Sequence, residues 1–257
     1  MRSVLPPLDL HAHIDVGVPE HELQGLGVVF AATRSLAEAR QAVERRDETI
    51  IWGVGSHPGL ARSHGSFEAA TFRSLMEHTA LVSEIGLDGG SKISLDRQLS
   101  TLRAAFDVLA DQPRITSLHS YRATDALVDE LAQRPVRGIV LHWWLGSARA
   151  TRRAVDLGCF FSVNAAMFRS PGALDHIPAD RLLTETDHPF GDRSSPLPRH
   201  PGGVLPVEHA IARKHGMQPE AVRRLMWVNL GSLVRDAACA RLLSRRVRSL
   251  LVASASS

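Results

Sequence analysis

Apolar residues recur along this chain in two alternating rhythms. The first is a short, nearly continuous apolar run, the mark of a strand buried on both faces. Eight such runs predict strands: Val4 to His11, Gly27 to Ala32, Thr49 to Ser56, Ala80 to Ile85, Arg114 to His119, Gly138 to His142, Cys159 to Asn164 and Arg181 to Asp187. The second rhythm has the three-to-four-residue spacing of an amphipathic helix. It falls between the strands, in SLAEARQAVERR, FEAATFRSLMEH, LDRQLSTLRAAFDVLA, ATDALVDELAQR and SARATRRAVDLG. Strands alternating with helices imply a parallel sheet. Eight such units predict an α/β fold, a TIM (β/α)8 barrel; an open doubly wound sheet is the alternative.

The rhythm breaks at DRSSPLPRHPGG, residues 192–203, a Pro/Gly-rich loop. VEHAIARKHG and EAVRRLMWVNLGSLVRDA then read as closing helices. We expect a single barrel domain over residues 1–243. A basic, small-residue tail, 244–257, is expected to fray. The length of 257 residues, 44% hydrophobic, suffices for one sizeable core.

Charge adds little at first sight. The net charge is +3, and Lys92 and Lys214 are the only lysines, so arginine carries nearly all the positive charge. Arginine suits bidentate phosphate contacts, although an arginine-rich genome would give the same bias. Two cysteines, Cys159 and Cys239, are too few for a disulfide framework. No signal-peptide pattern and no membrane-length apolar run is present, so a cytoplasmic protein without membrane contact is expected.

Candidate chemistry gathers at the strand ends. In LDLHAHID, His11 and His13 are two residues apart and so share one face of a strand. Alone, such a pair is more often structural than a ligand pair, since imidazole also serves structural hydrogen bonds. Glu84 ends the fourth strand, His119 the fifth, His142 the sixth and Asp187 the eighth. A carboxylate inside an apolar run is costly unless paired or metal-bound, and barrel active sites are built from C-terminal strand ends. Four imidazoles and two carboxylates suit Zn2+, Mn2+ or a similar ion, and Mg2+ if a phosphate adds oxygen ligands. Six ligands exceed the need of one tetrahedral ion. Two ions on the order of 4 Å apart would use them all.

The ordered motifs resemble those of the TatD-like metal-dependent hydrolases, an amidohydrolase-type barrel family. Asp9, His11 and His13 match D-x-H-x-H; Gly55 to Pro58 match G-x-H-P; Glu84 to Asp88 match E-I-G-L-D; Glu185 to Pro189 match E-T-D-x-P. His119 and His142 match the family's later single histidines. The resemblance implies a two-metal phosphodiesterase, typically a DNase with 3′→5′ exonuclease behaviour on single strands. It implies that His11, His13 and Asp187 hold one ion, that His119 and His142 hold the other, and that Glu84 bridges. Asp187, with Glu84, would be catalytic, orienting or deprotonating the attacking water. Divergent members also serve as subunits of bacterial anti-phage defence systems, which adds possible protein partners in a larger complex to the DNA substrate.

The surrounding positions depart from the family. Gly59 replaces a second histidine, Gly89 and Gly90 replace aromatics, and HSYRA and HWWLG stand where H-S-R-D-A and H-C-F-S-G are usual. Substrate contacts are therefore read from this chain alone. His57 is placed against a phosphate or metal-bound water, Arg122 or Arg169 against phosphate, and Trp143 or Trp144 against a base, with at least one tryptophan packed inside. Asp15 is a supporting residue or a cap. Glu185 supports a ligand or pairs with an arginine. His188 and His200 are expected in loops. Two rivals remain: hydrolysis of a small ester, lactone or amide, and a catalytically quiet binding subunit. A carboxylated-lysine site is disfavoured, because neither lysine ends a strand.

Overall fold

The computed structural model describes residues 4–170, 172, 174–191, 193 and 199–255. Much of the expected loop at 192–203 thus lies outside the described residues. The strands are β1 (Leu8–His13), β2 (Val28–Ala32), β3 (Ile50–Val54), β4 (Leu81–Gly86), β5 (Ile115–His119), β6 (Ile139–His142), β7 (Phe160–Val163) and β8 (Leu182–Thr184). All seven successive pairs are parallel and in sequence order. The Asp187 amide donates to the His11 carbonyl at 2.8 Å and brings the last strand back to the first. This is a TIM barrel.

Helices α1 (Leu36–Ala42), α2 (Ala61–Gly65), α3 (Ala69–Met76), α4 (Leu95–Asp111), α5 (Thr124–Gln133) and α6 (Ala148–Asp156) lie between strands. Helices α7 (Leu205–His215) and α8 (Pro219–Asp236) follow β8. Ser35 and Ser147 cap α1 and α6 by accepting the Glu38 and Ala150 amides. Gly216, at φ 64°, ends α7 in the left-handed conformation that glycine tolerates. Buried Leu, Val, Ile and Phe side chains of the strands join the inner faces of these helices in a main core, and Ala12, Val29, Ala31, Ile50 and Trp52 of β1–β3 form a smaller cluster with Ala42 of α1.

Three expectations need correction. β1 starts at Leu8, not Val4, because Pro6 and Pro7 have no N–H for the ladder; it continues to His13, which pairs with Ala32. β8 ends at Thr184 because the chain turns out of the sheet there, with Asp187 at φ 47°. The described part of the tail, residues 244–255, is not frayed. Residues Arg245–Ala255 form α9, and Val247, Leu250 and Leu251 make an apolar stripe that packs into the main core.

Candidate metal centre

β1 delivers His11 and His13 to the C-terminal mouth of the barrel. His11 is fully buried, and its Nδ1 lies 2.8 Å from Ser117 Oγ, leaving Nε2 facing the mouth. If Nδ1–H donates to Ser117, the Nε2 lone pair is free for a ligand. β4 delivers Glu84, which is the hub. Its Oε2 is 3.8 Å from His11 Nε2, 3.4 Å from His13 Nε2 and 3.5 Å from His57 Nε2. Its Oε1 is 2.6 Å from His119 Nδ1 and 3.2 Å from His142 Nε2. Asp187 Oδ1 closes the cluster at 3.8 Å from His11 and 3.7 Å from His13. The six residues predicted from the strand ends therefore converge on one point.

The donor set fits divalent ions. Glu84 Oε2, His11 Nε2, His13 Nδ1, His119 Nε2 and His142 Nδ1 are buried without a hydrogen-bond partner. A buried polar atom left unpaired is costly; Glu84 Oε2 and His11 Nε2 face each other across the cluster, where one cation would satisfy both, while the unpaired nitrogens of His119 and His142 are turned toward Asp88 and Glu185. Among the described residues, three sets of donor atoms lie within 4.8 Å of one another: His11, His142 and Asp187; His11, His13 and Glu84; His57, Glu84 and His119. The first and third differ from the expected partition, since His142 falls with His11 and His57 joins His119.

Electrostatics follow from this crowding. Burial alone would raise Glu84, but the His57 and His119 imidazoles outweigh it and hold the carboxyl well below the usual range. Burial raises Asp187 to about 7, helped by Glu185 and Glu84 and opposed by His142 and His13. Burial, then the neighbouring His142, holds His11 well below an ordinary histidine. Burial also lowers His142, yet Glu185 and Glu84 outweigh it and hold the ring well above.

The supporting residues resolve the open readings. Glu185 is fully buried, and among the described residues it faces His142 and no arginine. It accepts from Ser162 Oγ, from Asn164 Nδ2 at 2.9 Å and from the Trp143 amide at 3.1 Å, and stands 3.5 Å from His142 Nδ1. Asp9 accepts from the Thr186 amide, the Thr186 hydroxyl and the Gly202 amide at 2.6–2.9 Å, tying β1 to the segment after β8. Burial raises its pKa to about 6, although these bonds pull it down. Asp15 is exposed and caps a turn by accepting the Gly17 amide. His188 sits in the loop after β8, and its carbonyl accepts the His13 amide at 2.7 Å.

A cavity of about 660 Å3 opens over the cluster. His57, Arg122, Arg169 and Trp143 line it, as do Tyr121, Leu145, Phe190 and Arg193. Trp144 is fully buried and donates its indole N–H to Thr151, so it is the packed tryptophan of the pair. His57 Nδ1 accepts the Gly59 amide at 2.9 Å, which puts a proton on Nε2 in the neutral ring. Sequence reasoning missed Phe190, whose ring meets His13 edge-on at 5.2 Å, and Asp88, whose Oδ2 is 3.7 Å from His119 Nε2. It also missed Ser117 and Ser162. Both lie two residues before a noted position, His119 and Asn164, and strand parity would have found them. Lys92 is in the loop after β4 and Lys214 pairs with Asp175 on the helical side.

A TIM barrel whose mouth gathers four strand-end histidines around two carboxylates has the build of a metal-dependent hydrolase. The chain matches the family described as TatD related DNase over residues 8–235, and it belongs to that family. It is 26% identical to the 3′-5′ ssDNA/RNA exonuclease TatD of Erwinia billingiae over 228 residues, 81% of this chain and 87% of the relative. It is 24% identical to the uncharacterised metal-dependent hydrolase YabD of Bacillus subtilis, over 88% of this chain and 98% of the relative. The fold is shared with the TatD homologue YjjV of Escherichia coli at a TM-score of 0.79, 21% identity, 90% coverage of this chain and 98% of that one. Among the described residues, no helix is long and apolar enough to cross a membrane.

Proposed function

We propose that this chain is a two-metal phosphodiesterase that shortens single-stranded DNA from its 3′ end. The observation that carries the reading is Glu84: one buried carboxylate within 4 Å of five imidazoles, with Oε2 lacking any hydrogen bond. His11, His13 and Asp187 would hold one ion, His119 and His142 the other, and Glu84 would bridge. The identity of the ions, Mg2+, Mn2+ or Zn2+, is part of the test. When bound, such ions supply Lewis acidity and neutralise charge on a phosphodiester in displacement.

The chain's own residues do the rest. Asp187 stands at the mouth, where its carboxylate would hold the first ion and orient the attacking water or take its proton. The His57 Nε2–H donates to a phosphate oxygen. Arg122 and Arg169 offer guanidinium groups at the rim for the next phosphates, and Trp143 offers a face for the terminal base. The nuclease names of the relatives support the substrate class.

Wild type, Glu84→Gln and Asp187→Asn are incubated with end-labelled single-stranded and duplex DNA in each metal. Wild type is expected to release mononucleotides from the 3′ end of the single strand, with both variants at least about 1,000-fold slower, as for loss of a unit of catalytic machinery. Equal trace cleavage by all three overturns the reading.

A further inference from the structure

The net charge of the protein is concentrated in one place. Residues 1–236 hold 26 basic and 27 acidic side chains, a balance of −1. Residues 237–257 hold four arginines, Arg241, Arg245, Arg246 and Arg248, and no carboxylate side chain, so this last segment supplies more than the whole +3. All four are exposed.

Their position is set by the C-terminal chain. The α8 carboxylate of Asp236 accepts the Gly138 amide at 2.7 Å, one residue before β6. The Ser244 hydroxyl, at the start of α9, donates to the Glu48 carbonyl, two residues before β3. The arginines therefore stand across the N-terminal ends of the strands. The metal centre is at the other ends, about 15–20 Å away for strands of this length at roughly 3.3 Å per residue. Exposed Arg46 and Arg137, just before β3 and β6, extend the patch. Glu44, Glu48 and Glu77 are acidic neighbours in the chain segments that reach this end. Among the described residues, none of these six arginines has a carboxylate within ion-pair distance.

The local choice is an unfavourable one for the helix. Arg245 and Arg246 open α9, where the helix dipole repels cations. Arg248 donates to the carbonyls of Arg241 and Leu243, which fixes the turn that presents the others. A local rule broken without compensation inside the fold points to a function outside it. The apolar stripe of α9 packs on the core, and Val252 is the one large apolar side chain that the described helix exposes, too little to insert into a lipid layer. What remains is a cluster of planar, permanently charged donors, suited to a run of phosphates.

We propose that this face is a second, non-catalytic contact for the phosphate backbone of a long nucleic acid strand, one that tethers substrate while the far end is processed. The proposal rests on the nuclease reading for its purpose, but its test does not. Binding of a single strand of roughly 60 nucleotides, several footprints of a single-strand site, is measured in chelator so that no cleavage occurs. Wild type is compared with Arg241→Gln/Arg245→Gln/Arg246→Gln. The triple variant is expected to bind about tenfold more weakly, with the slope of log affinity against log salt reduced by about 2. Its thermal midpoint should be unchanged or higher, since cations leave a helix start, and cleavage of a tetranucleotide should be unchanged. Equal affinity and salt slope overturn the proposal. So does equal competition by polyglutamate of matched charge, or binding of anionic vesicles in place of DNA. A wild type that fails to cleave the tetranucleotide but still shows the tethering difference sinks the nuclease reading alone.

Discussion

His11 and His142 stack face to face, ring centroids 3.9 Å apart and planes 7° from parallel. Two imidazolium ions cannot share that spacing in a buried site without large repulsion. The carboxylates decide which ring is charged. His142 has Glu185 and Glu84 beside it and is held well above the ordinary histidine range; His11 is held well below it. Without metal the pair is one neutral ring and one cation, and Asp187 titrates at about 7.

Metal ligands must be deprotonated, so loading this site releases protons. At about pH 6.5 we expect calorimetric titration of the metal-free protein to show uptake of about one proton or more by the buffer per chain. The measured heat should vary with the ionisation enthalpy of the buffer. The number released should fall as the pH rises past the Asp187 midpoint. Heat independent of buffer at both ends would contradict the charge assignment.

Glu185 orients the imidazole that the second ion would use. Gln keeps its shape and one acceptor but loses the charge facing His142 Nδ1. Glu185→Gln should fold normally and lose about 10–100-fold in metal affinity, the usual effect of removing a ligand's carboxylate partner. Competition with a chromogenic chelator measures this. Unchanged affinity would mean that His142 is held by packing alone.

How far the sequence reached can be judged from particular elements. All eight strands were legible because each is an apolar run whose pattern does not depend on its neighbours. The six strand-end residues were legible because strand direction in a parallel barrel assigns every C-terminal end to one face. Limits appeared wherever distant parts of the chain meet. His57 reads from the sequence as a phosphate or water contact, and only folding brings it, from a loop after β3, to 3.5 Å from Glu84. Ser162 on β7 and Asn164 just after it read as ordinary small polar residues until Glu185 is laid against them. The α9 helix was hidden for a different reason. Its stripe of Val247, Leu250 and Leu251 is short, and the arginines at its start argue against a helix on local grounds.

Asp9 is the cheapest place to test how rigidly the mouth is held. Its two oxygens accept from Thr186 and Gly202, and its segment carries His11. Asn would keep one oxygen and point an amide N–H2 at donors. Asp9→Asn is expected to lose about 2–4 kcal/mol in stability, since buried donors are left unpaired. Chemical denaturation measures the loss. Activity should fall as well, because the His11 strand and the Asp187 turn lose their shared tie. A variant as stable as wild type would show that the Thr186 and Gly202 donors find other partners.

Asp187 offers a test whose sign is unusual for a proposed catalytic residue. Its carboxyl moves from 3.8 to about 7 on folding. The folded state thus binds the extra proton through this window. The contribution of Asp187 to stability is complete below about pH 4 and is lost as the pH rises through 7. Asn cannot ionise and escapes this loss. In chelator at about pH 8, Asp187→Asn should therefore be more stable than wild type, by about 1–4 kcal/mol. At about pH 4 the two should be nearly equal. With metal the order should reverse, because wild type alone offers a charged ligand and binding adds to the stability of the folded state. Unfolding curves in chelator and in Mn2+ or Zn2+ at both pH values read all four cases. A variant less stable than wild type in chelator at high pH would place the Asp187 charge in a favourable setting without any ion, and would remove the case that this carboxylate is held there for a metal.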